Sequence, residues 1–341
     1  MVEQNSMRSK AFFINGGAGR VISSIPAFEK YAETHDDFII VCEGGMNFFK
    51  GHPLLHKYSF DNWHKNLFED YIKPRDCVTP EPYRQWHYYN QQCSIAQAFD
   101  MEINGLTEPR ELSAPKIKLS KSEAITAINT VEEIKAKTGK EKTVVIQPFG
   151  RTAEVRGEYI IDPSSRSFHQ SYIVEIINNL RKDYGVIIMS EFQFPIDIGE
   201  DQVPCAWPQA DIRTWAGIIE CADHFLGCDS VGQHIAKSVG TTVTAVIGST
   251  YPENTSYPGD KDFDILDLGE GKRTFSPIRL TMEDYQDLMN DECMEMGKED
   301  IEKTITSCRK RLGKSKPYSG AGVPETPSSN SCCEPNKGFG Q

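Results

Sequence analysis

The segment that most constrains this chain is Ala11–Ile14, the turn Asn15-Gly16-Gly17-Ala18-Gly19, and the amphipathic stretch Arg20–Thr34. Four apolar residues stopped by glycines predict a buried strand, and the stretch that follows repeats its apolar positions at helical spacing. A second apolar run, Phe38–Cys42, comes next. Strand, turn, helix and strand in that order open a parallel α/β sheet. A right-handed crossover places the glycine turn at the carboxyl end of the first strand, the edge at which such sheets bind ligands.

The same alternation returns after Ser120. Ser120-Lys-Ser-Glu123 is a capping box, Ile125, Ile128, Val131 and Ile134 follow at helical spacing, and Gly139 is a natural stop. Strands are predicted at Thr143–Gln147, Val186–Met189, His224–Gly227 and Thr242–Ile247. Helices are predicted at His169–Lys182, Arg213–Ala222 and Ser230–Val239. The aromatic-rich stretch Met46–Asn90, inside Gly44–Pro115, has no clear period and reads as short helices and loops. A helix is expected from the Thr281-Met-Glu-Asp284 cap. A second presents Ile301, Ile305, Cys308 and Leu312 on one face. The Gly-, Pro- and Ser-rich tail reads as disordered, with Cys332-Cys333 as free thiols. The expected organisation is therefore two doubly wound α/β domains around a cleft: 1–118, 119–280, closing helices over 281–312 and a tail over 313–341.

Composition narrows the function classes. Of 341 residues, 38% are hydrophobic and 25% charged, and no run approaches the ~18 apolar residues of a membrane span. A net charge of −12 argues against a protein that coats nucleic acid by charge, and makes a duplex nucleic-acid partner unlikely without a local basic patch. Met1–Lys10 lacks the apolar core of a signal peptide. The ten cysteines form no CxxC pair, so reduced thiols in the cytoplasm are expected and no zinc ribbon is readable. His52, His56 and His64 have no partner ligands at regular spacing, and no metal site is expected from them.

The stretch most suggestive of chemistry is Cys228-Asp229-Ser230-Val231-Gly232-Gln233-His234-Ile235-Ala236. A strand ends there and a helix begins, so unpaired amides and the positive end of the helix dipole point at the ligand edge. An anion such as a diphosphate fits that position. Asp229 reads as a cap or ligand-orienting carboxylate, and His234 as a hydrogen-bond donor to a phosphate oxygen or a packed imidazole.

Together with Gly240, Val246-Ile247-Gly248-Ser249-Thr250, Gly19-Arg20-Val-Ile-Ser-Ser-Ile-Pro26-Ala and Pro115-Lys-Ile-Lys-Leu-Ser120, this stretch resembles the motifs of the heptosyltransferase-like glycosyltransferases, family nine. The resemblance spans roughly residues 11–260 and is patchy over 46–110. It implies a GT-B fold and an inverting, metal-independent transfer with no cofactor. The donor is a nucleotide sugar held by the second domain, and the acceptor is a saccharide or another hydroxyl, such as a surface glycan, a lipid-linked saccharide or a hydroxymethylated nucleobase. Asp262-Phe-Asp264 has the letters of a metal-binding Asp-x-Asp but lies past the donor strand.

The resemblance implies donor contacts from Gln147, Glu191, Asp229, Ser230, Gly232, Gln233, His234 and Thr250. Arg151, Arg156 and Arg166 compete to neutralise the diphosphate, with Gly16, Gly17 and Gly19 forming the first-domain loop. One departure stands out. The family's turn aspartate, taken as the general base, falls on Arg20, which stays protonated. Glu43 and then His87 are the replacement bases in reach of the acceptor side. Two other classes stay open: a nucleotide-sugar-binding protein that has lost transfer, and a nucleotide-sugar epimerase of similar two-domain shape.

Overall fold

The computed structural model describes residues 9–42, 44–196, 203–273 and 291–320. The first sheet starts with β1 (Lys10–Ile14), α1 (Ala18–Ala32) and β2 (Phe38–Cys42), as the opening segment predicts. α1 buries Val21, Ile22, Ile25 and Phe28, the three-and-four spacing of a helix laid on a sheet. Phe12 anchors this layer, with ring centroids 5.3 Å from Phe28 and 5.1 Å from Tyr31.

The region expected to be irregular holds more order. It adds β3 (Ser59–Asp61), β4 (Asp76–Val78), α2 (Trp86–Tyr89) and α3 (Ile95–Asn104). The sheet runs β3-β2-β1-β4, and every pair is parallel. Three-residue strands have no period to read. α3 did have a signal, since Ser94 and Gln97 form a capping box and Gly105 closes the helix in the left-handed conformation.

The second half contains α4 (Lys121–Thr138), β5 (Thr143–Gln147), the hairpin β6 (Glu154–Arg156) and β7 (Tyr159–Ile161), α5 (Gln170–Leu180) and β8 (Gly185–Ile188). It continues with α6 (Ile212–Cys221), β9 (His224–Cys228), α7 (Val231–Val239), β10 (Val243–Ile247), α8 (Pro252–Thr255), β11 (Phe263–Asp267) and α9 (Lys298–Leu312). Its sheet is β11-β10-β9-β5-β8, all parallel.

Two sequence readings gain detail here, and one, the tail, is corrected. α4 has the predicted capping box, but it buries Ala127, Val131 and Ile134 and leaves Ile125 and Ile128 exposed. The stripe is rotated because Ala127 seats on Gly217 of α6, where a Cβ would overlap it. Asp262-Phe-Asp264 runs into β11, and Asp264 accepts hydrogen bonds from Arg311 Nε at 2.8 Å and Ser307 Oγ at 3.1 Å of α9. That carboxylate is a packing clamp. The start of the tail is ordered: Tyr318 donates to Glu132 Oε2, and Pro317 bridges to Lys140. The helix expected from Thr281 and the pair Cys332-Cys333 lie outside the described residues. α9 buries Ile301, Ile305, Cys308 and Leu312 on the second sheet, as the spacing predicts.

The two sheets are joined by a continuous apolar core that runs from Phe12 and Phe28 through Val131 and Trp215 to Ile235. Two polar clamps reinforce it. Asn254 Nδ2 donates to the Tyr88 and Cys93 carbonyls at 2.8 and 2.9 Å. Arg213, 5% exposed, donates to both oxygens of Glu123 at 2.5 and 2.8 Å, and also to the carbonyls of Asn47 and Lys118. Hydrogen bonding from Arg213 holds the Glu123 carboxyl down at about 2. Arg213 is buried and Glu123 half-buried, so removing one member leaves the other charge without its partner. Arg213→Leu is therefore expected to lower stability by about 3 kcal/mol, read as a lower denaturant midpoint. A depressed carboxylate contributes above its unfolded value and loses that contribution as pH falls through its folded value. The gap between wild type and variant should therefore narrow as pH drops from 4.5 towards 2.

Candidate functional site

The carboxyl ends of both sheets open onto one cleft of about 890 Å³. Its first-domain wall is the glycine turn. Gly16 has φ +97°, a left-handed conformation that lets β1 turn sharply into α1. Gly17 is the N-cap of α1 and supplies no side chain. Gly19 faces α7, where a Cβ would lie 3.3 Å from His234 Cδ2. The small residues thus bring the amino end of α1 against the amino end of α7. Each end carries about half a positive charge, and both face the cleft.

The α7 end is built from β5 and β9. Ser230 is its N-cap, in extended conformation. Gln147, at the end of β5, accepts from the Gly232 N–H at 2.9 Å and donates to Ser230 Oγ at 3.1 Å. The expected free Gly232 amide is therefore already paired. Gly232 is required by close approach, because a Cβ there would overlap both Gln147 Oε1 and the Phe225 ring. Gln147, Ser230, Asp229 and His234 line the cleft.

Gln233, expected among the donor contacts, points away from it. It is fully buried, donating to Asp229 Oδ1 at 3.0 Å and to the Thr255 carbonyl at 3.1 Å, and accepting from Ser256. Asp229 also accepts from Thr250 Oγ1 at 2.9 Å, and its Oδ2 lies 3.8 Å from Arg166 Nη1. Asp229 thus orders the cleft floor as much as it faces a ligand. Thr250 is on the cleft, while Glu191 is an exposed residue at its edge.

The arginines separate. Arg156 lies on the exposed hairpin and is held by Glu154. Arg166 and Arg151 line the cleft. Burial works against the Arg166 charge, but Asp229 and Asp162 outweigh it and keep the guanidinium protonated. The Arg166 loop is organised by Asp162. Its carboxylate accepts from the Thr152, Ser164 and Ser167 hydroxyls and from the Ser164 and Ser167 N–H groups. Burial alone would raise the Asp162 carboxyl, and these hydrogen bonds bring it below the usual range. Sequence reasoning missed Asp162, although an Asp with serines two and five residues on is a turn signature. Arg151 has no hydrogen-bond or ion partner among the described residues. Its Nη1 would sit 3.6 Å from a Cβ on Gly17, so the side chain spans from the second domain to the glycine turn.

Among the proposed catalytic residues, Arg20 lines the cleft. Its guanidinium lies over the Tyr83 and Phe99 rings, 4.9 and 5.5 Å from their centroids, and its Nη1 is 3.7 Å from Glu81. His87 is not on the cleft. Its Nε2 is 3.1 Å from Glu108 Oε2, because the short α2 turns it towards the segment after α3. Glu43 lies outside the described residues. His52 is built into its loop, with Nε2 3.1 Å from Glu29 and Nδ1 accepting from Leu55 N–H. His234 is enclosed. Burial lowers its pKa against the opposing pull of Asp229, and Tyr257 Oη lies 2.9 Å from its Nδ1.

No family model matches the sequence, and no curated protein matches it. Solved structures do match in three dimensions. A family 9 glycosyl transferase from Veillonella parvula is 12% identical, with a TM-score of 0.60 over 89% of this chain and 97% of that one. The E. coli ADP-heptose lipopolysaccharide heptosyltransferase II is 11% identical, with a TM-score of 0.50 over 88% and 99%. The dodecameric iron-containing heptosyltransferase TibC, solved in complex with ADP-D-β-D-heptose, is 11% identical, with a TM-score of 0.54 over 89% and 77%. Two parallel α/β sheets facing one cleft, matched over nearly the whole chain, give this protein the GT-B fold of the family 9 glycosyltransferases.

Proposed function

We propose that this chain is a glycosyltransferase that moves a sugar from a nucleotide-sugar donor to an acceptor hydroxyl. The observation that carries the reading is the meeting of two helix N-termini over a cleft that also holds Arg151 and Arg166. Fixed positive ends and guanidinium groups are matched to a diphosphate, bound or departing. The TibC complex with ADP-D-β-D-heptose supports a donor of this class.

The acceptor oxygen attacks the anomeric carbon from the face opposite the diphosphate, which inverts that centre. The bond to the phosphate oxygen breaks, the electron pair leaves with the nucleoside diphosphate, and the acceptor's proton is released to solvent water. The α7 start, Arg166 and Arg151 stabilise that charge by pre-set dipoles and charges, so the proposal assigns this task to protein groups and not to a metal. A saccharide is the acceptor class proposed.

A second reading keeps the donor and drops transfer. The described first-domain residues on the cleft are Gly16, Gly17, Ala18, Gly19, Arg20, Ser23, Tyr83, Tyr88 and Ile95. None is a carboxylate or an imidazole, and Arg20 is packed and paired where a base is wanted. This favours a nucleotide-sugar-binding protein.

A panel of nucleotide sugars, followed by melting and by release of nucleoside diphosphate, tests both. A donor at a hundred times its dissociation constant should add ~2.7 kcal/mol. Slow turnover supports transfer, binding with no turnover supports the second reading, and no binding overturns both. Arg151→Ala should weaken donor binding about tenfold or more and leave the unliganded melting temperature unchanged, since its side chain has no described partner. Gly232→Ala should lower both stability and donor affinity, because the added methyl drives Gln147 off the α7 start.

A further inference from the structure

Tyr257 has no role in the proposed chemistry, and it is paired with His234, for which the sequence leaves open a phosphate contact or simple packing. Tyr257 Oη lies 2.9 Å from His234 Nδ1 and has no other hydrogen-bond partner among the described residues. The Tyr257 ring is held in place by Phe263 at 4.8 Å and meets the imidazole edge-on at 5.7 Å. The other ring nitrogen, Nε2, has no partner among the described residues. It sits at the cleft beside the start of α1, 3.8 Å from where a Gly19 Cβ would lie.

The chemistry of the pair sets the direction of its hydrogen bond. An unprotonated imidazole nitrogen is a strong acceptor. A phenol is a good donor and its oxygen a weak base. The stable arrangement has Tyr257 O–H donating to Nδ1, which leaves the ring proton on Nε2. The surroundings keep the ring uncharged. Burial disfavours the imidazolium, and Asp229 at the end of β9 opposes this without overcoming it. On the facing element the Arg20 guanidinium is turned to Tyr83, Phe99 and Glu81, and Lys237, one turn along α7, is paired with Asp260.

We propose that Tyr257 is a positioning residue that fixes His234 as its Nε2–H tautomer. A neutral imidazole then donates a hydrogen bond to a phosphate oxygen of the donor and cannot serve as the general base. The proposal rests on the donor-binding reading above and assigns His234 a role within it. It also removes His234 from the groups able to take the acceptor's proton.

The full chain labelled with ¹⁵N-histidine tests this by long-range nitrogen–proton spectra, with the His234 signals assigned by their loss in His234→Gln. The expected result is a protonated Nε2 and a bare Nδ1 at neutral pH, with a titration midpoint below the ordinary histidine range. Tyr257→Phe keeps the ring and removes the hydroxyl. It should give a mixture of tautomers and a shifted midpoint while the backbone spectrum stays that of the folded chain. A bare Nε2 in the wild type, or a tautomer unchanged in Tyr257→Phe, overturns the proposal, and neither result depends on any nucleotide sugar.

The donor half is read with whichever nucleotide sugar stabilises the wild type. Its addition should move the His234 Nε2–H proton signal, and Tyr257→Phe should raise its dissociation constant several-fold. An unmoved signal and an unchanged constant overturn that half and leave donor binding itself standing. If no nucleotide sugar stabilises the wild type, the donor-binding reading falls and takes the donor half with it, whatever the tautomer.

Discussion

The arrangement depends on one close contact, the amino end of α1 laid against the amino end of α7. Two like dipole ends repel, and three arginines at the same cleft add to the positive potential. What makes the contact tolerable is packing. Gly17, Ala18 and Gly19 remove side-chain bulk, and His234 fills the space opposite Gly19. A continuous apolar core and the Arg213 and Asn254 clamps then hold the sheets together. With Arg20 facing Glu81 and Arg166 facing Asp229, the two helix ends and Arg151 are the groups left to favour an anion there.

Polar side chains around that point are largely committed to one another. Gln147 holds the first turn of α7, Gln233 and Thr250 hold Asp229, and Asp162 gathers the loop that carries Arg166. Such satisfied networks fix geometry at low reorganisation cost, which is what stabilising a developing charge requires. Arg151 differs in being a guanidinium that reaches across the cleft with no described partner. The site therefore combines a rigid floor with one adaptable cation.

Much of this was legible in the sequence. The order strand, glycine turn, helix and strand named the fold, because a buried parallel strand has to be a short apolar run and its turn has to be small. The Asp229–His234 stretch named the second wall for the same reason. What was not legible falls into three kinds. β3 and β4 are too short for periodicity. The buried face of α4 is not set by helix propensity, which does not say which residues meet Gly217. The fates of Gln233 and His87 depend on partners far along the chain, Ser256 and Glu108, which no local spacing reveals. Asp162 and the α3 capping box do carry local signals, an Asp-turn and a Ser-x-x-Gln cap. At position 20 the chain departs from the motifs it resembles. There an arginine lies over the Tyr83 and Phe99 rings, and the question of the base is left to residues other than the turn.

The central claim is that the two helix ends and the arginines hold a diphosphate. The most direct measurement is a crystal structure of the chain with the nucleotide sugar that stabilises it most. The account predicts the two phosphates at the Ser230 start of α7, within hydrogen-bond reach of Arg151 and Arg166, with the sugar turned towards the Gly16–Gly19 loop. A diphosphate bound elsewhere on the surface, or one that leaves Arg151 and the α7 start untouched, contradicts it.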